Sequence, residues 1–319
     1  MSHIPVLLKE VLEYLEVKPG GKYIDATFGA GGHSKAIAER GGEVLGIDSD
    51  ERNVILSVAK DQKKEDSSSA FDGAQNDGRI KVVHGNFADI KRIAEDNGFS
   101  DVDGILFDLG LSSEQLDDAE RGFSFQKDGP LDMRMHVEEA KTAADIVSGY
   151  QEKELVTIFY GFGEERRFGK RVARAIMDAR KVGSIKSTAQ LFDITKHALP
   201  ANLRFRAGDT ARRIFQALRI AVNGELANLE KALPQAAALL KPGGRLVVIS
   251  FHSLEDRIVK NFMADAARDC VCPPEFPECR CDHRAFMRVL TRKPVTATEE
   301  EMAENSRSKS AKLRASLKI

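Results

Sequence analysis

A glycine-rich turn and an acidic residue that follows it are the groups of this chain whose spacing first suggests chemistry. The turn, Gly29-Ala30-Gly31-Gly32-His33, follows an apolar run, and Asp48 ends the next one. Glycines let a ligand approach the backbone because no Cβ is in the way, and a following helix points its free N–H groups at that ligand. Asp48 could accept both hydroxyls of a ribose. The stretch from Lys22 to Asp50 therefore predicts a nucleoside-containing cofactor.

The spacing of the turn argues against a dinucleotide cofactor. A pyrophosphate site needs a third glycine in the pattern G-x-G-x-x-G, and this chain lacks it. His33 would also crowd a diphosphate. A tight turn without any ligand remains the alternative, since glycine turns are common.

Apolar runs that alternate with helical patterns predict a parallel sheet with helices on both faces. Ligands bind at the carboxyl ends of the strands in such sheets. Besides the turn and Asp48, those ends carry Phe87, which could stack on a purine, Asp108, and Phe251-His252-Ser253. Asp108 could instead cap a helix and Phe251 could pack in the core. The convergence of five positions on one edge favours a binding site.

The pattern changes in the middle of the chain, which predicts an inserted helical domain. From about Ser113 to Arg206 no strand alternation is convincing, and several segments have helical apolar spacing. We expect a core formed by residues 1–112 and 207–319, with the insertion at 113–206. Residues 288–291 and 313–319 should close the sheet as a strand pair. The polar residues 61–78 predict a disordered surface insertion.

The length and the net charge of the chain limit the functions that it can have. The 319 residues suggest about two domains. The formal net charge of −1 gives no global basic surface, so any nucleic-acid surface must be local. No apolar run reaches the roughly 18 residues of a membrane span, and the N-terminus lacks a signal segment. A cytoplasmic protein is expected.

All four cysteines lie in one short stretch, as Cys270-x-Cys272 and Cys279-x-Cys281. Two close pairs across a short loop are typical of a thiolate zinc site rather than a secreted disulfide scaffold. A single intervening residue is less favourable than the usual two, and reduced surface thiols are the alternative. No metal ligand is therefore assigned from the sequence.

Several long motifs of the chain resemble those of one family. The chain is similar to the RsmH (MraW) family of S-adenosylmethionine-dependent cytosine-N4 methyltransferases, which act on small-subunit ribosomal RNA. The run from Gln115 to Met135 is the most specific of the matches. The matching stretches are 3–8, 27–34, 108–113, 115–125, 129–135, 215–220 and 250–257. Asp209-Thr210-Ala211 departs from the family's usual His-Pro-Ala.

The resemblance implies the fold, the cofactor and the product. The fold would be α/β, a Rossmann-like methyltransferase core with a seven-stranded, mostly parallel sheet and an inserted helical domain. The cofactor would be S-adenosylmethionine, and the product one methyl on N4 of a cytidine in the decoding region. The partner would be the small-subunit ribosomal RNA or the assembled subunit, without a membrane. Family cofactor contacts fall on Gly31, Gly32, His33, Asp48, Phe87, Asp108 and Gln115.

The chemistry of a cytosine amine suggests a catalytic role for Asp108. The amine is a poor nucleophile because its lone pair is conjugated with the ring, and alignment supplies much of the acceleration of an in-line methyl transfer. We hypothesise that Asp108 and the backbone carbonyl of Leu109 orient the amine. Other amino methyltransferases carry an Asp/Asn-Pro-Pro-aromatic run here, and this chain keeps only the acid. A stacking aromatic would then come from Phe123, Phe125 or Phe251.

Clusters of basic residues predict a local RNA surface. Each cluster alone could be an ordinary solvated face, but together they could hold phosphates around a single-stranded or flipped cytosine. The predicted RNA-binding residues are Arg166, Arg167, Arg212 and Arg213, with further basic groups at 170–174, 204–206 and 307–314.

Three other functions compete with RNA methylation. A ribosome-assembly factor of the same fold could bind RNA without turnover, although the intact turn, Asp48 and Asp108 argue against that loss. A methyltransferase of this fold could act on DNA or a small molecule, although the basic insertion favours a bulky RNA. A nicotinamide dehydrogenase is disfavoured by the missing third glycine.

Overall fold

The structure is a computed structural model that describes residues 5–52, 54, 78–135, 141–273, 275–276 and 278–319. The chain divides into two compact units. The first unit consists of Met1–Gly110 and Leu226–Ile319, and the second unit is Leu111–Glu225. The predicted disordered insertion at 61–78 lies, apart from Gly78, outside the described residues.

The first unit is built on a seven-stranded sheet. Its strands are β1 (Lys22–Asp25), β2 (Glu43–Asp48), β3 (Ile80–His84), β4 (Val102–Asp108), β5 (Leu240–Ser250), β6 (Met287–Val289) and β7 (Lys312–Lys318). They lie in the order β3-β2-β1-β4-β5-β7-β6. Strands β1 to β5 pair in parallel, and β7 pairs antiparallel with both β5 and β6. The predicted sheet and its closing strand pair are therefore confirmed.

Helices cover both faces of this sheet because alternate strand residues point to opposite faces. Ile24 and Phe107 belong to the apolar core on one face, and Tyr23 and Leu106 to the core on the other. The described helices of this unit are α1 (Leu8–Leu15), α2 (Gly32–Glu39), α3 (Ile90–Asp96), α10 (Glu225–Leu239), α11 (Ser253–Ala266) and α12 (Glu299–Glu304), with 3-10 turns at Phe87–Asp89 and Ser306–Ser310.

The strand register brings three acids to one edge of the sheet. Asp25 at the end of β1 pairs with Gly46 and with Leu106. Asp48 and Asp108 end their strands two residues beyond those partners, about 7 Å further out. Asp25 therefore lies behind a rim formed by the other two acids.

The second unit is helical among its described residues. Its core contains Leu155, Val172, Leu191 and Ile214. Its helices are α4 (Ser113–Asp117), α5 (Ala143–Gly149), α6 (Glu152–Gly161), α7 (Gly169–Val182), α8 (Thr188–Ala198) and α9 (Ala207–Asn223), with 3-10 turns at Ala119–Arg121 and Ala201–Arg206.

Helix α9 accounts for the difference between the expected domain boundaries and the observed division. The sequence places the return to the core at residue 207, whereas the structure divides after Glu225. The apolar face of α9, with Ile214 and Leu218, is buried in the core of the second unit. The helical period of α9 was visible in the sequence, but it did not indicate whether the apolar face packs in the core of the first or of the second unit. No described helix is long and apolar enough to cross a membrane.

Candidate active site

The glycine-rich turn links β1 to α2 at the carboxyl edge of the sheet. Gly31 caps α2 in the left-handed region, with φ of 75°, and a Cβ there would lie 2.6 Å from the ring of Phe28. A Cβ on Gly32 would lie 2.5 Å from Pro5. Of these three glycines, only Gly29 has room for a Cβ, which would meet nothing closer than the carbonyl oxygen of Thr27 at 3.8 Å. A side chain at Gly31 or Gly32 would displace Phe28 or Pro5, so close packing accounts for both glycines, and their contact with a cofactor stays a prediction.

Thr27 and Asp25 tie this turn to the end of β4. The Oγ1 of Thr27 accepts a 2.6 Å hydrogen bond from the backbone N–H of Asp108. Asp25 is buried, and it accepts hydrogen bonds from Ser34 Oγ at 2.7 Å and from the N–H of Thr27 at 3.2 Å. Together, these hydrogen bonds hold the backbone from which the carboxylate of Asp108 projects. Neither Thr27 nor Asp25 was among the predicted site residues, although an acid ending an apolar strand was a readable signal.

His33 and Asp108 form the centre of the site. The Nε2 of His33 lies 3.4 Å from Oδ2 of Asp108. His33 is 5 % exposed, yet both of its ring nitrogens and the Oδ1 of Asp108 are buried without a hydrogen-bond partner among the described residues. Buried polar atoms are rarely left unpaired. Nδ1 of His33 and Oδ1 of Asp108, which lie outside the 3.4 Å ion pair, are therefore the atoms most ready to contact a ligand.

The charges of this cluster perturb two pKa values. Burial acts to lower the pKa of His33, but the neighbouring Asp108 and the charge of Asp25 outweigh it and raise that pKa above its usual value. Burial raises the pKa of Asp25, against the lowering effects of the Ser34 hydrogen bond and the charge of His33. The site therefore favours the protonated form of His33 more strongly than water does.

We expect the first unit to lose stability as pH rises through the pKa of His33. The folded chain binds the His33 proton more tightly than the unfolded chain does, and this difference stabilises the fold. The stabilisation is complete below the pKa of the unfolded chain, about 6.5, and it is lost as the pH rises through the higher pKa of the folded chain. His33→Gln should remove that part of the pH dependence. The measurement is the thermal midpoint of both proteins across this pH range.

Exposed His197 provides the matched control for this experiment. It lies on α8, where its Nδ1 is 2.8 Å from the carbonyl of Asp193. His197→Gln should reproduce the wild-type profile. An identical profile in His33→Gln would contradict the assignment of the pH dependence to His33.

Asp48 lies at the predicted place but is already hydrogen-bonded to the backbone. Its Oδ2 accepts from the N–H of Gly29 at 2.6 Å, and its Oδ1 accepts from the N–H of Asp50 at 2.7 Å. A carboxylate has about four lone-pair sites, so these bonds do not exhaust it. They hold the turn against the end of β2. Its role as the acceptor of the ribose hydroxyls stays a prediction.

Phe87 follows β3, as predicted, and its ring is half-buried. It packs edge-to-face on Phe107 with centroids 5.7 Å apart. The side chain of Asn86 accepts from the N–H of Ala88 at 2.8 Å and so orders the turn that carries the ring. The ring is rigidly placed at the carboxyl edge, where purine stacking remains its predicted role.

Phe251 is held over the end of β4 by a buried carboxylate. The Oε2 of Glu255 accepts from the N–H of Phe251 at 2.8 Å and from that of His252 at 3.2 Å. A Cβ on Gly110 would lie 3.1 Å from the Phe251 ring, so the ring lies directly against this backbone. Glu255 is a positioning residue that the sequence analysis did not single out. Its place three residues after His252 is the signal of a capping box.

The other two aromatic candidates are used for packing in the second unit. Phe125 stacks on Phe192 at 5.1 Å and meets Phe215 edge-to-face at 5.2 Å. Phe123 is buried in the same core. Of the three candidates, Phe251 is therefore the one whose ring lies against the backbone just after β4.

Gln115 belongs to the second unit, where it closes the first turn of α4. Its Oε1 accepts from the N–H of Ser112 at 3.1 Å, while Ser112 Oγ accepts from the N–H of Gln115 at 3.2 Å. This reciprocal pair is a capping box. The predicted contact of Gln115 with the cofactor stays a prediction.

The second unit brings the predicted RNA-binding arginines into one region. Arg213 lies 3.4 Å from the buried carboxylate of Glu165, the residue before Arg166. Arg166, Arg167 and Arg212 are exposed. Arg213 differs from them because it neutralises a buried charge, so its replacement would also cost stability.

Phe205 is a further exposed residue of this unit that the sequence analysis did not select. It is 83 % exposed in the 3-10 turn Ala201–Arg206, between exposed Arg204 and Arg206. An aromatic ring between two cations is typical of a surface that stacks nucleic-acid bases. The triplet Arg-Phe-Arg was the signal in the sequence.

One of the basic groups near the C-terminus has a structural role instead. Arg314 is 6 % exposed in β7, and its guanidinium binds the carboxylate of Asp256 at 2.6 and 3.2 Å. The prediction that Arg314 contributes to an RNA surface is therefore wrong. The alternation of β7 turns this side chain towards α11.

A family model described as the MraW methylase family matches residues 1–319. The chain belongs to the MraW methylase family. Its membership confirms that the chain is a methyltransferase with S-adenosylmethionine as cofactor, and it confirms the resemblance and the fold class inferred from the sequence.

Curated relatives of this MraW methylase match it from end to end. A protein of Halothermothrix orenii is 49% identical, covering 100% of this chain and 99% of its own. One of Heliobacterium mobile is 47% identical over 99% of each chain, and one of Carboxydothermus hydrogenoformans is 47% identical over 100% of this chain and 98% of its own. All three are named ribosomal RNA small subunit methyltransferase H.

Proposed function

We propose that this MraW methylase transfers a methyl group from S-adenosylmethionine to N4 of a cytidine in the decoding region of small-subunit ribosomal RNA. The observation that carries the proposal is the carboxylate of Asp108, whose Oδ1 lacks a hydrogen-bond partner among the described residues at the end of β4. The relatives, which are named as small-subunit ribosomal RNA methyltransferases, support the class of substrate.

The residues at the carboxyl edge suit a cationic cofactor. S-adenosylmethionine supplies a methyl group on a positively charged sulfonium. Asp48 and Asp108 place two carboxylates beside the glycine-rich turn, and these would repel a diphosphate but attract a cation. Gly29 leaves the turn open on one side. We propose that Asp48 holds the ribose of the cofactor and that Phe87 stacks on its adenine. Gly31, Gly32 and His33 would line the rest of the cofactor-binding site, and Gln115 would be a further contact.

Asp108 would act on the acceptor amine. Its carboxylate would accept one amine hydrogen and the carbonyl of Leu109 would accept the other, which would turn the nitrogen lone pair out of conjugation. As the nitrogen gains the methyl group that the cofactor supplies, it would pass one proton to the carboxylate of Asp108. Phe251 would stack on the cytosine from above the end of β4. His33 would hold the carboxylate of Asp108 in place, through the 3.4 Å contact between Nε2 and Oδ2. The rate gain comes mainly from alignment.

The exposed arginines and Phe205 would bind the RNA around the target. A paired cytosine hides its amine, so the substrate is single-stranded or flipped. Arg166, Arg167 and Arg212 would neutralise phosphates, and Phe205 would stack on an unpaired base. Arg213 would contribute through its charge while it neutralises Glu165. An RNA substrate also favours a cytoplasmic location.

Two variants separate the phosphate contacts from the stacking contact. Arg166→Gln combined with Arg167→Gln should make the slope of log binding constant against log salt concentration less negative by about 1.4, because each single-strand phosphate contact contributes about 0.7 to that slope. Phe205→Ala should weaken binding by about 1–3 kcal/mol without changing that slope. The measurement is the affinity for a single-stranded fragment of the ribosomal RNA at several salt concentrations.

Arg92→Gln is the control for this pair of variants. Arg92 is an exposed arginine of α3 that lies 3.5 Å from Asp96. Its replacement should leave affinity and slope unchanged. If the double variant behaves like Arg92→Gln, the proposed surface does not bind RNA.

The proposed function is tested by methyl transfer to small ribosomal subunits and to naked ribosomal RNA, both lacking the modification. Labelled methyl should appear in N4-methylcytidine, identified by the mass of the nucleoside. Cofactor binding without transfer to either substrate would instead support an assembly factor without turnover. Transfer to DNA or to a small molecule, with none to RNA, would also contradict the proposal.

A further inference from the structure

The four cysteines of the chain meet in the segment between α11 and β6. The four Sγ atoms of Cys270, Cys272, Cys279 and Cys281 all lie within 4.8 Å of one another. The Sγ of Cys281 is 3.6 Å from that of Cys279 and 3.8 Å from that of Cys270. Four thiolates around one zinc ion, each at about 2.3 Å, stand about 3.8 Å apart. The sulfurs thus already have the spacing of a tetrahedral zinc site.

This spacing does not fit disulfide bonds. A disulfide holds its two sulfurs about 2.05 Å apart, and all four cysteines are free thiols in the structure. Two disulfides would also draw the sulfurs into two separate pairs, whereas here Cys281 approaches members of both pairs. A single shared partner explains the convergence of all four.

Backbone N–H groups point at three of the sulfurs. Val271 donates to Cys281 Sγ at 3.5 Å, the N–H of Cys272 donates to Cys270 Sγ at 3.4 Å, and Arg280 donates to Cys272 Sγ at 3.3 Å. A thiol is a weak acceptor, while a metal-bound thiolate carries charge that such outer hydrogen bonds stabilise. These N–H donors therefore suit a cluster of negatively charged thiolates better than four neutral thiols.

The described part of this segment has few apolar contacts to hold it. Val271 is 40 % exposed and Phe276 is 48 % exposed. The two ends of the segment are joined by the hydrogen bond from the N–H of Phe286 to the carbonyl of Ala266, at 2.9 Å. Short segments without an apolar core commonly depend on a metal or on disulfides. A bound ion would supply the missing cross-link.

We propose that Cys270, Cys272, Cys279 and Cys281 bind one zinc ion in a structural site that fixes the segment between α11 and β6. All four positions of a tetrahedral ion are filled by the protein, so no open position is left for catalysis. The site is separate from the methyl-transfer chemistry proposed above. The spacing with one intervening residue, which counted against zinc in the sequence, does not keep the sulfurs apart in the fold.

Metal content and thiol reactivity of the full chain, purified without chelator, test this site. We expect one zinc ion per chain, four thiols that a thiol reagent modifies slowly, and fast modification after a chelator is added. Replacement of zinc by cobalt should give the intense visible bands of a tetrahedral tetrathiolate complex. Folded, metal-free protein with four freely reactive thiols would overturn the proposal. Four thiols missing from denatured, unreduced protein would overturn it as well, because they would show disulfides.

Cys279→Ser should weaken zinc binding by more than about 100-fold, since even the partners of metal ligands contribute about 10–100-fold. Trypsin should then cleave more readily at Arg280 and Arg284. Glu278→Gln, a change at the exposed neighbouring residue, is the matched control and should bind zinc as the wild type does. Unchanged zinc affinity in Cys279→Ser would contradict the site. The cobalt spectrum of the wild-type chain decides the question if this variant does not fold.

Discussion

Asp108→Ala should reduce the rate of methyl transfer by about 10²–10⁴-fold, the range typical of a group that handles a proton of the reacting atom. Alanine removes the negative charge and both acceptor oxygens. The amine hydrogens would then lack an acceptor at Oδ1, and His33 would lose the charge 3.4 Å from its Nε2. The measurement is kcat with saturating cofactor and RNA, together with the dissociation constant of the cofactor.

The comparison of these two constants separates the roles of Asp108. A role in orienting the amine lowers kcat far more than it raises the dissociation constant. An unchanged kcat with much weaker cofactor binding would mean that Asp108 contacts only the cofactor. Asp101→Asn is the control, because Asp101 is exposed just before β4, with φ of 51°, where asparagine is well tolerated. It should leave both constants unchanged.

Gly129→Ala should destabilise the second unit by about 2–4 kcal/mol. A Cβ on Gly129 would lie 1.9 Å from the carbonyl oxygen of Ala119, and one on Gly122 would lie 2.0 Å from that of Pro130. Both obstacles are backbone atoms, so no side chain can rotate away to make room. The two glycines allow the turn at 119–122 to pack directly against residues 129–132.

Circular dichroism in urea is the suitable measurement for this variant, because the chain has no tryptophan. Trypsin cleavage within residues 111–225 should rise in parallel. Gly149→Ala is the control, since a Cβ there meets nothing within 4 Å, and the change should be neutral or stabilise slightly. Equal stability of the two variants would show that the chain can move apart at Gly129 without cost.

The most specific stretch of the sequence, from Gln115 to Met135, is largely explained by such local packing. The guanidinium of Arg134 binds the carboxylate of Asp132 with two contacts of 2.8 Å. The side chain of Asn223 donates to the carbonyl of Met133 at 2.8 Å and accepts from the N–H of Met135 at 2.7 Å. The run thus identified the family from the sequence while most of its contacts build the second unit.

The parallel sheet and the edge that carries the site could be predicted from the sequence, because strand period and strand-end acids depend on neighbouring residues alone. The sequence analysis therefore placed Asp48, Phe87 and Asp108 correctly at the ends of β2, β3 and β4. It also indicated the family, since long motifs survive as a linear pattern.

Contacts between side chains that are not neighbours in the chain became known only from the folded structure. It packed the ring of Phe251 against Gly110, just after β4, while Phe125 stacks on Phe192, and it brought the four cysteine sulfurs within 4.8 Å of one another. It also showed that Arg314 neutralises Asp256 inside the protein rather than facing solvent. Such pairings depend on which faces become buried together, and no local pattern of residue types fixes that.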